Sequence, residues 1–205
     1  MRIGVFGGTF DPVHVGHLLK AEEAREGLGL DEVWFVPAGN PWMKSGRTIS
    51  PAHDRMEMVR LATASNPHFK VSDIETVRHG PSYMADTLAE LRAQFGDGAE
   101  LFLLIGADSL RHIARWRSPD EVLRLCTVAV FERPGRKGGE VERFDRELLD
   151  GIRPGAGKAA RAVQGTLTGI SGTDIRERVA TGRSIAYRVP EAVGAYIAEH
   201  GLYKS

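Results

Sequence analysis

The chain alternates between short apolar runs and helical patterns over its first two thirds. The alternating segments, in chain order, are residues 3–6, 18–28, 33–36, 51–64, 69–74, 83–95, 101–105 and 119–125. Runs such as residues 101–105 contain no polar alternation, which is typical of strands buried on both faces. Because parallel strands need crossover helices that cover the sheet, the pattern predicts an α/β fold with a doubly wound parallel sheet.

The amino-acid composition changes after residue 134, since residues 135–139 and 151–157 are rich in glycine and basic side chains. We expect this stretch to be rich in loops, with a weak helix at 144–149. The pattern resumes with a predicted short strand at 166–170, a helix at about 173–181 and a last helix at 190–200. With 205 residues and no internal repeat, the chain is expected to form a single domain, 1–205, with a small C-terminal helical part.

The charges of the chain balance, with 27 lysines and arginines against 27 aspartates and glutamates. This balance is not typical of proteins that coat polyanions, so we expect no nucleic-acid partner. The single cysteine, Cys126, lies in the apolar run 126–131, where a buried structural role is favoured over catalysis. No apolar stretch approaches the ~20 residues of a membrane span and no secretion signal precedes the first strand, so we predict a cytoplasmic protein without a membrane partner.

The strongest chemical signal follows the first apolar run, in Gly7-Gly8-Thr9-Phe10-Asp11-Pro12-Val13-His14-Val15-Gly16-His17. Adjacent glycines let the backbone approach a ligand closely, and the helix N-terminus that follows attracts anions. His14 and His17 are three positions apart, so on a helix they share one face and can donate to phosphate oxygens. The segment therefore predicts a phosphate-binding turn at the carboxyl end of the first strand.

Other interpretations of this turn are weaker. A P-loop needs a lysine after its last glycine, and the dinucleotide fingerprint needs glycines at other spacings. Zinc would need ligands beyond His14 and His17, and the His-Glu-x-x-His pattern is absent from the sequence. Either histidine alone would more often be an ordinary, partly exposed residue, but the two together favour the phosphate site.

A second segment, Ile170-Ser171-Gly172-Thr173-Asp174-Ile175-Arg176, places hydroxyls and backbone donors at the start of a predicted helix. Arg176 can hold phosphate oxygens with its planar fork of N–H groups, which suits a triphosphate. Taken without the first segment, a helix cap followed by surface arginines would be the preferred interpretation.

Together the two segments resemble the paired motifs of nucleotidylyltransferases with a His-x-Gly-His element. Within that family the chain is most similar to the bacterial nicotinate-mononucleotide adenylyltransferases, and further matching segments are 81–83, 105–109, Trp116, 133–135 and 200–203. Only the glycine-rich stretch before residue 166 is unmatched. The resemblance implies a Rossmann-like fold and transfer of the adenylyl group of ATP to nicotinic acid mononucleotide, with Mg²⁺ accompanying ATP and no metal ligand from protein side chains.

The resemblance also implies roles for individual residues. The mononucleotide phosphate attacks the α-phosphorus of ATP; His14 and His17 are assigned to the phosphates around the reacting bond and Arg176 to the β and γ phosphates. Lys44 is a further catalytic candidate, although a solvated loop lysine is about as plausible. Asp108 is assigned to a ribose hydroxyl, or alternatively caps the next helix. The predicted ATP contacts outside these are Gly7, Gly8, Thr9, Phe10, Gly106, Ser171 and Thr173.

For the acceptor, the resemblance implies that the pyridine ring stacks on Trp116. Helix-start donors near Ser82, Tyr83 and Thr87 would meet the nicotinate carboxylate and favour acid over amide. Two positions depart from the family pattern: Met84 stands where a threonine is frequent, and Gly172 where a second serine is usual. The full set of predicted acceptor residues is Ser82, Tyr83, Met84, Thr87, Trp116 and Arg133.

Rival interpretations of the sequence concern the acceptor, the activity and the protein class. The acceptor could be nicotinamide mononucleotide or phosphopantetheine, although Trp116 argues against phosphopantetheine. The chain could also be a non-catalytic nucleotide sensor, which the intact His14, His17 and Arg176 disfavour. A fragment of a class I aminoacyl-tRNA synthetase would need a Lys-Met-Ser-Lys-Ser loop that the sequence lacks. A homo-oligomer is compatible with all of these.

Overall fold

The computed structural model describes residues 1–41, 48–131, 133–134, 141–142, 144–166 and 168–204. The strands in this part of the chain are β1 (Arg2–Gly8), β2 (Glu32–Pro37), β3 (Phe69–Val71), β4 (Glu100–Gly106), β5 (Thr127–Phe131), β6 (Arg133–Pro134), β7 (Val141–Glu142) and β8 (Arg161–Val163). The helices are α1 (Val15–Leu28), α2 (Ala52–Thr63), α3 (Met84–Phe95), α4 (Ala107–Leu110), α5 (Pro119–Leu125), α6 (Arg146–Ile152), α7 (Ala156–Ala159), α8 (Gly172–Ala180) and α9 (Glu191–Glu199). A 3₁₀ turn spans Ile113–Arg115.

Six strands form one sheet in the order β3-β2-β1-β4-β5-β8. The pairs β1–β4, β4–β5 and β5–β8 are parallel, with Val5 opposite Leu103 and Leu103 opposite Val128. Strand order that runs outward in both directions from β1 and β4 belongs to doubly wound folds, in which right-handed crossovers place the helices on both faces. The predicted doubly wound parallel sheet is confirmed. β6 and β7 form a separate antiparallel pair.

The central strands are buried as their composition requires. β4 is buried from Leu101 to Ile105, and each such side chain removed from water contributes ~1.5–3 kcal/mol. Gly4 in β1 is equally constrained, since a methyl group added there would lie 2.8 Å from the side chain of Leu30. Close packing at these strands fixes where their carboxyl ends lie.

One predicted element is wrong. The last strand does not lie at 166–170, because β8 at Arg161–Val163 pairs with β5 instead. The backbone N–H of Thr166 donates to the Glu23 carboxylate at 2.6 Å, and the following described residues lead into the cap of α8 rather than into a ladder. Only Val163 of the three β8 residues is buried, so the sequence there has no strand-like apolar pattern.

Other boundaries differ by small amounts. β3 ends at Val71 rather than at residue 74, because Asp73 begins a turn whose carbonyl accepts from the N–H groups of Thr76 and Val77. The weak helix predicted at 144–149 is α6, which Asp145 caps by accepting from two backbone N–H groups. The helices predicted near 173–181 and 190–200 are α8 and α9. The short helices α4 and α7 were not anticipated.

The chain divides into two compact units, each built from three segments. The first unit contains Met1–Gly7, Lys20–Trp34 and Tyr83–Leu167, and the second contains Gly8–Leu19, Phe35–Ser82 and Thr168–Ser205. The prediction of one domain stays a prediction. Across the described residues, no helix has the length and apolarity needed to cross a membrane.

Candidate functional site

The second unit contains the predicted phosphate turn, between the end of β1 at Gly8 and the start of α1 at Val15. Phe10 adopts a φ of 50°, in the left-handed region that few non-glycine residues occupy. A methyl group added at Gly8 would lie 2.9 Å from the Phe10 ring. The second glycine of the motif is therefore required by the aromatic ring that lies over it.

The two histidines of the turn lie against each other. Their rings are stacked with centroids 3.7 Å apart, and His14 is 7% exposed. The backbone N–H of His14 donates to Nδ1 of His17 at 3.2 Å. Because Nδ1 accepts a hydrogen bond, the neutral His17 ring carries its proton on Nε2, where it can donate to a phosphate oxygen. This local bond fixes the tautomer that the predicted role needs.

Gly16, which lies between the two histidines in sequence, has no room for a side chain. A methyl group there would lie 2.7 Å from Oγ1 of Thr168 and 3.2 Å from Nδ1 of His14. Any side chain at this position would separate the first motif from the segment that leads into the second. The glycine is thus a packing requirement of the site.

The second motif begins α8, and its side chains make both local and long-range contacts. Oγ of Ser171 accepts from the backbone N–H of Asp174 at 3.2 Å, which is the N-cap role that the sequence left open. Arg176 donates to the carbonyl of Asp11, in the first motif, and to Oγ1 of Thr173 at 3.1 Å. The structure therefore brings the two predicted motifs together.

Gly172, where the family often has serine, lies at the same junction. A methyl group at Gly172 would lie 3.0 Å from the Asp11 carbonyl and 3.2 Å from Nη1 of Arg176. The small residue gives Arg176 room to reach the first motif, so the departure from the family pattern is compatible with the site.

Arg55 in α2 is a site residue that the sequence interpretation missed. Its side chain is 1% exposed, and its guanidinium donates to three carbonyls from different segments: Thr9 at 2.8 Å, Ser50 at 2.9 Å and Gly39 at 3.2 Å. A signal existed, since Arg55 occupies the apolar stripe of α2 that Met58, Val59 and Ala62 continue.

The predicted acceptor residues from Tyr83 onward belong to the first unit. Trp116 follows the 3₁₀ turn, and its indole N–H is buried without a hydrogen-bond partner in the described part of the chain. The guanidinium of Arg117 lies 4.8 Å from the centre of the Tyr83 ring and 3.4 Å from the Asp86 carboxylate. Arg117 was not singled out from sequence, although it directly follows the predicted stacking residue.

Three side chains proposed for the acceptor have other neighbours. Thr87 is completely buried and its hydroxyl donates to the Tyr83 carbonyl, so the side chain is directed to its own helix. In the second unit, Oγ of Ser82 accepts from the N–H groups of Gly39 and Asn40. A methyl group added at Gly7 would lie 2.6 Å from the end of the Met84 side chain, which thus lies against the β1 backbone. These contacts leave backbone donors at the start of α3 as the candidate carboxylate ligands.

The remaining predicted residues are placed as follows. Asp108 lies inside α4, whose N-cap is Gly106, so the alternative that it caps this helix is wrong. A methyl group at Gly106 would lie 2.5 Å from Oδ1 of Asp108, which accounts for the glycine. Lys44 lies outside the described residues, and for Arg133 in β6 only the backbone is described.

No group of three or more metal-ligating side chains occurs among the residues that the structure describes.

A family model described as cytidylyltransferase-like matches residues 5–178, a range that includes both motifs. The chain belongs to this family. The family assignment made from the two motifs is confirmed.

Curated relatives match over almost the whole chain. A protein of Dehalococcoides mccartyi is 42% identical over 99% of this chain and 97% of its own length. A Roseiflexus protein is 45% identical over 98% of both chains, and one from Thermoanaerobacter is 44% identical over 100% of this chain and 95% of its own. All three bear the name "Probable nicotinate-nucleotide adenylyltransferase".

Solved structures share the fold. The Plasmodium falciparum nicotinic acid mononucleotide adenylyltransferase complexed with NaAD matches with a TM-score of 0.77 at 16% identity, over 98% of this chain and 97% of that chain. The same enzyme complexed with APC matches with a TM-score of 0.76. At this identity the likeness shows that the sheet and its helices have the same arrangement.

Proposed function

We propose that the chain transfers the adenylyl group of ATP to nicotinic acid mononucleotide, giving deamido-NAD and pyrophosphate. The observation that carries the proposal is the contact between the two motifs, in which Arg176 donates to the Asp11 carbonyl three residues before the stacked pair of His14 and His17. Relatives that bear this enzyme's name and match over their full length support the same reaction.

The second unit would bind the triphosphate. Nε2–H of His17 can donate to the phosphates around the reacting bond, and the partly exposed Arg176 can pair with the β and γ phosphates. The start of α8, with Thr173 exposed and Ser171 as cap, adds backbone donors of the kind that favour anions. Donors from the start of α1 and from α8 together suit a polyanion rather than a neutral ligand.

The reaction needs no general base. A phosphate oxygen of the mononucleotide, already anionic, forms the new bond to the α-phosphorus, and the bond from that phosphorus to the β-phosphate bridging oxygen breaks as pyrophosphate leaves. The protein has to align the substrates, which is worth ~7–11 kcal/mol, and to neutralise charge at the leaving group. Each well-placed donor lowers the activation free energy by a further ~3 kcal/mol. His14, His17 and Arg176 can therefore account for catalysis without a general base.

The first unit would supply the acceptor contacts. Trp116 offers an aromatic face for the pyridine ring, and the start of α3 at Met84 offers backbone donors to the nicotinate carboxylate. We assign the discrimination of acid from amide to these donors, because the nearby side chains of Ser82 and Thr87 are engaged elsewhere. Arg117, close to the Tyr83 ring, adds positive charge near the same helix start.

Mg²⁺ is proposed to arrive with ATP, held by phosphate oxygens and water, as this ion keeps several waters when it binds nucleotides. Its chemistry would be neutralisation of the charge on the leaving pyrophosphate. The cytoplasmic location and the possibility of a homo-oligomer stay predictions.

Pyrophosphate release tests the proposal directly. The chain is supplied with ATP and Mg²⁺ and, in separate reactions, with nicotinic acid mononucleotide, nicotinamide mononucleotide or phosphopantetheine. We expect turnover with the nicotinic acid compound to exceed the others by at least tenfold in kcat/KM. Higher turnover with phosphopantetheine would contradict the acceptor assignment, and no turnover with any of the three would contradict adenylyl transfer to this class of acceptor.

A further inference from the structure

Asp11 of the phosphate turn is 5% exposed, although an aspartate is among the residues least often buried. Tyr203 donates a hydrogen bond from its hydroxyl to Oδ1 of Asp11 at 2.8 Å. The backbone carbonyl of the same aspartate accepts from Arg176. One residue of the turn is therefore held through its side chain by the C-terminal segment and through its backbone by α8.

Arg55 places a positive charge near Asp11 within the second unit. The buried guanidinium of Arg55 lies within electrostatic range of both Asp11 and Tyr203, and it bonds the carbonyl of Thr9 two residues earlier in the turn. Burial raises the pKa of the Tyr203 hydroxyl, the Asp11 carboxylate adds to the rise, and a hydrogen bond with the Ser50 side chain opposes it. A buried carboxylate, a guanidinium and a phenol thus form one polar network around the turn.

The backbone at Tyr203 is also constrained. Its φ is 63°, in the left-handed region, where a non-glycine residue persists only when its surroundings determine its conformation. Gly201, two residues earlier, has a φ of 62° and lets the chain turn after α9. These two residues direct the tyrosine from the end of α9 to the turn.

We propose that Tyr203 is a positioning residue for adenylyl transfer. By holding the Asp11 side chain it fixes the carbonyl that receives Arg176, and with it the turn on which His14 and His17 lie. The inference rests on the proposed function, since the turn is taken to bind the triphosphate. Tyr203 itself is assigned no contact with substrate.

The test compares two hydroxyl deletions. Tyr203→Phe removes the donor to Asp11. Tyr196→Phe is the matched control, because Tyr196 donates from its hydroxyl to the Asp54 carboxylate at 2.9 Å, a bond that joins α9 to α2. We expect Tyr203→Phe to lower kcat about tenfold with the KM for the acceptor unchanged, and Tyr196→Phe to leave kcat within twofold of wild type. Melting temperature is recorded for both variants.

Affinity for α,β-methylene-ATP, measured calorimetrically with Mg²⁺, separates this inference from the proposed function. Tyr203→Phe is expected to weaken binding about threefold to tenfold relative to Tyr196→Phe, whether or not the wild type turns over an acceptor. Equal changes in kcat and affinity for the two variants would overturn the positioning role. If Tyr203→Phe melts too low to assay, Asp11→Asn, which keeps an acceptor for the tyrosine, must retain more nucleotide affinity than Asp11→Ala, and equal losses would overturn the proposal.

Discussion

Replacing His17 with asparagine separates the two functions of the imidazole. Nδ1 of His17 accepts from the backbone N–H of His14 at 3.2 Å, while Nε2 is the donor assigned to the phosphates. The asparagine side-chain oxygen can occupy the position of Nδ1, but no atom replaces Nε2. His17→Gln does the reverse and places an amide N–H near the Nε2 position.

The Nε2 donor is expected to affect kcat, whereas the Nδ1 acceptor is expected to affect the free energy of unfolding and therefore Tm. Loss of a donor aimed at developing phosphate charge lowers kcat by ~10²–10³-fold, about 2.7–4 kcal/mol, so His17→Asn and His17→Ala should share this defect. Of these two variants, only His17→Ala also leaves the part-buried N–H of His14 without its acceptor, at ~1–3 kcal/mol of stability. For a chain of this length that lowers Tm by roughly 2–12 °C. His17→Gln should recover part of kcat.

Steady-state pyrophosphate release at saturating ATP, Mg²⁺ and nicotinic acid mononucleotide gives kcat, and thermal unfolding gives Tm. Turnover of His17→Asn within threefold of wild type would refute the role of Nε2–H. A Tm for His17→Asn as low as that of His17→Ala would refute the structural role of Nδ1. We expect kcat to fall for both His17→Asn and His17→Ala, and Tm to fall for His17→Ala but not for His17→Asn.

Three further predictions concern other parts of the molecule. Trp116→Ala should raise the acceptor KM about tenfold and the ATP KM by less than twofold, because the indole is assigned to the pyridine ring; an unchanged acceptor KM would reject the stacking role. Gly39→Ala should lower the free energy of unfolding by ~1–3 kcal/mol, because the added methyl group would lie 2.0 Å from the Glu75 carbonyl oxygen. Gly98→Ala is the control, since a methyl group there would have no atom within 4 Å, and it should leave stability unchanged. Equal Tm values for the two variants would contradict this packing. Cys126 is half-buried, and desolvation raises the pKa of its thiol to about 12, so a thiol reagent at pH 8 should label the folded protein far more slowly than the denatured protein. Stability contributed by the neutral thiol should be present below pH ~8.5 and lost as pH rises toward 12. Rapid labelling of the folded protein would show that the thiol is accessible.

The centre of the sheet was predictable because β1 and β4 contain continuous buried apolar runs, which are typical of parallel strands covered on both faces. β8 was not, because two of its three residues are exposed and its parallel pairing with β5 depends on tertiary contacts rather than on its own composition. The error at 166–170 has the same origin. The Thr166 N–H that a strand would have used is bonded to the Glu23 carboxylate, 143 positions away in sequence.

The two motifs of the candidate site were predictable as motifs, and the resemblance implied that both bind the phosphates of ATP. Their contact atoms could not be predicted, because Arg176 reaches the Asp11 carbonyl rather than a side chain. Ser82 and Thr87 were assigned to the acceptor by their place at a helix start, yet a hydroxyl at such a place can as easily bond a neighbouring backbone group. Arg55 was missed although it shares the apolar stripe of α2, because its charge was taken to indicate a solvent-exposed side chain and its three carbonyl partners lie in segments that only the fold brings together.

Asp11 obtains its partners from residues 165 and 192 positions further along the chain. A protein is made from its N-terminus, so the phosphate turn leaves the ribosome first and Arg176 and Tyr203 leave it among the last. Contacts at such separation form slowly and late in folding. A nascent chain that has completed β1 and α1 still lacks both of these partners of Asp11, and the bond from Tyr203 can form only once synthesis has passed α9.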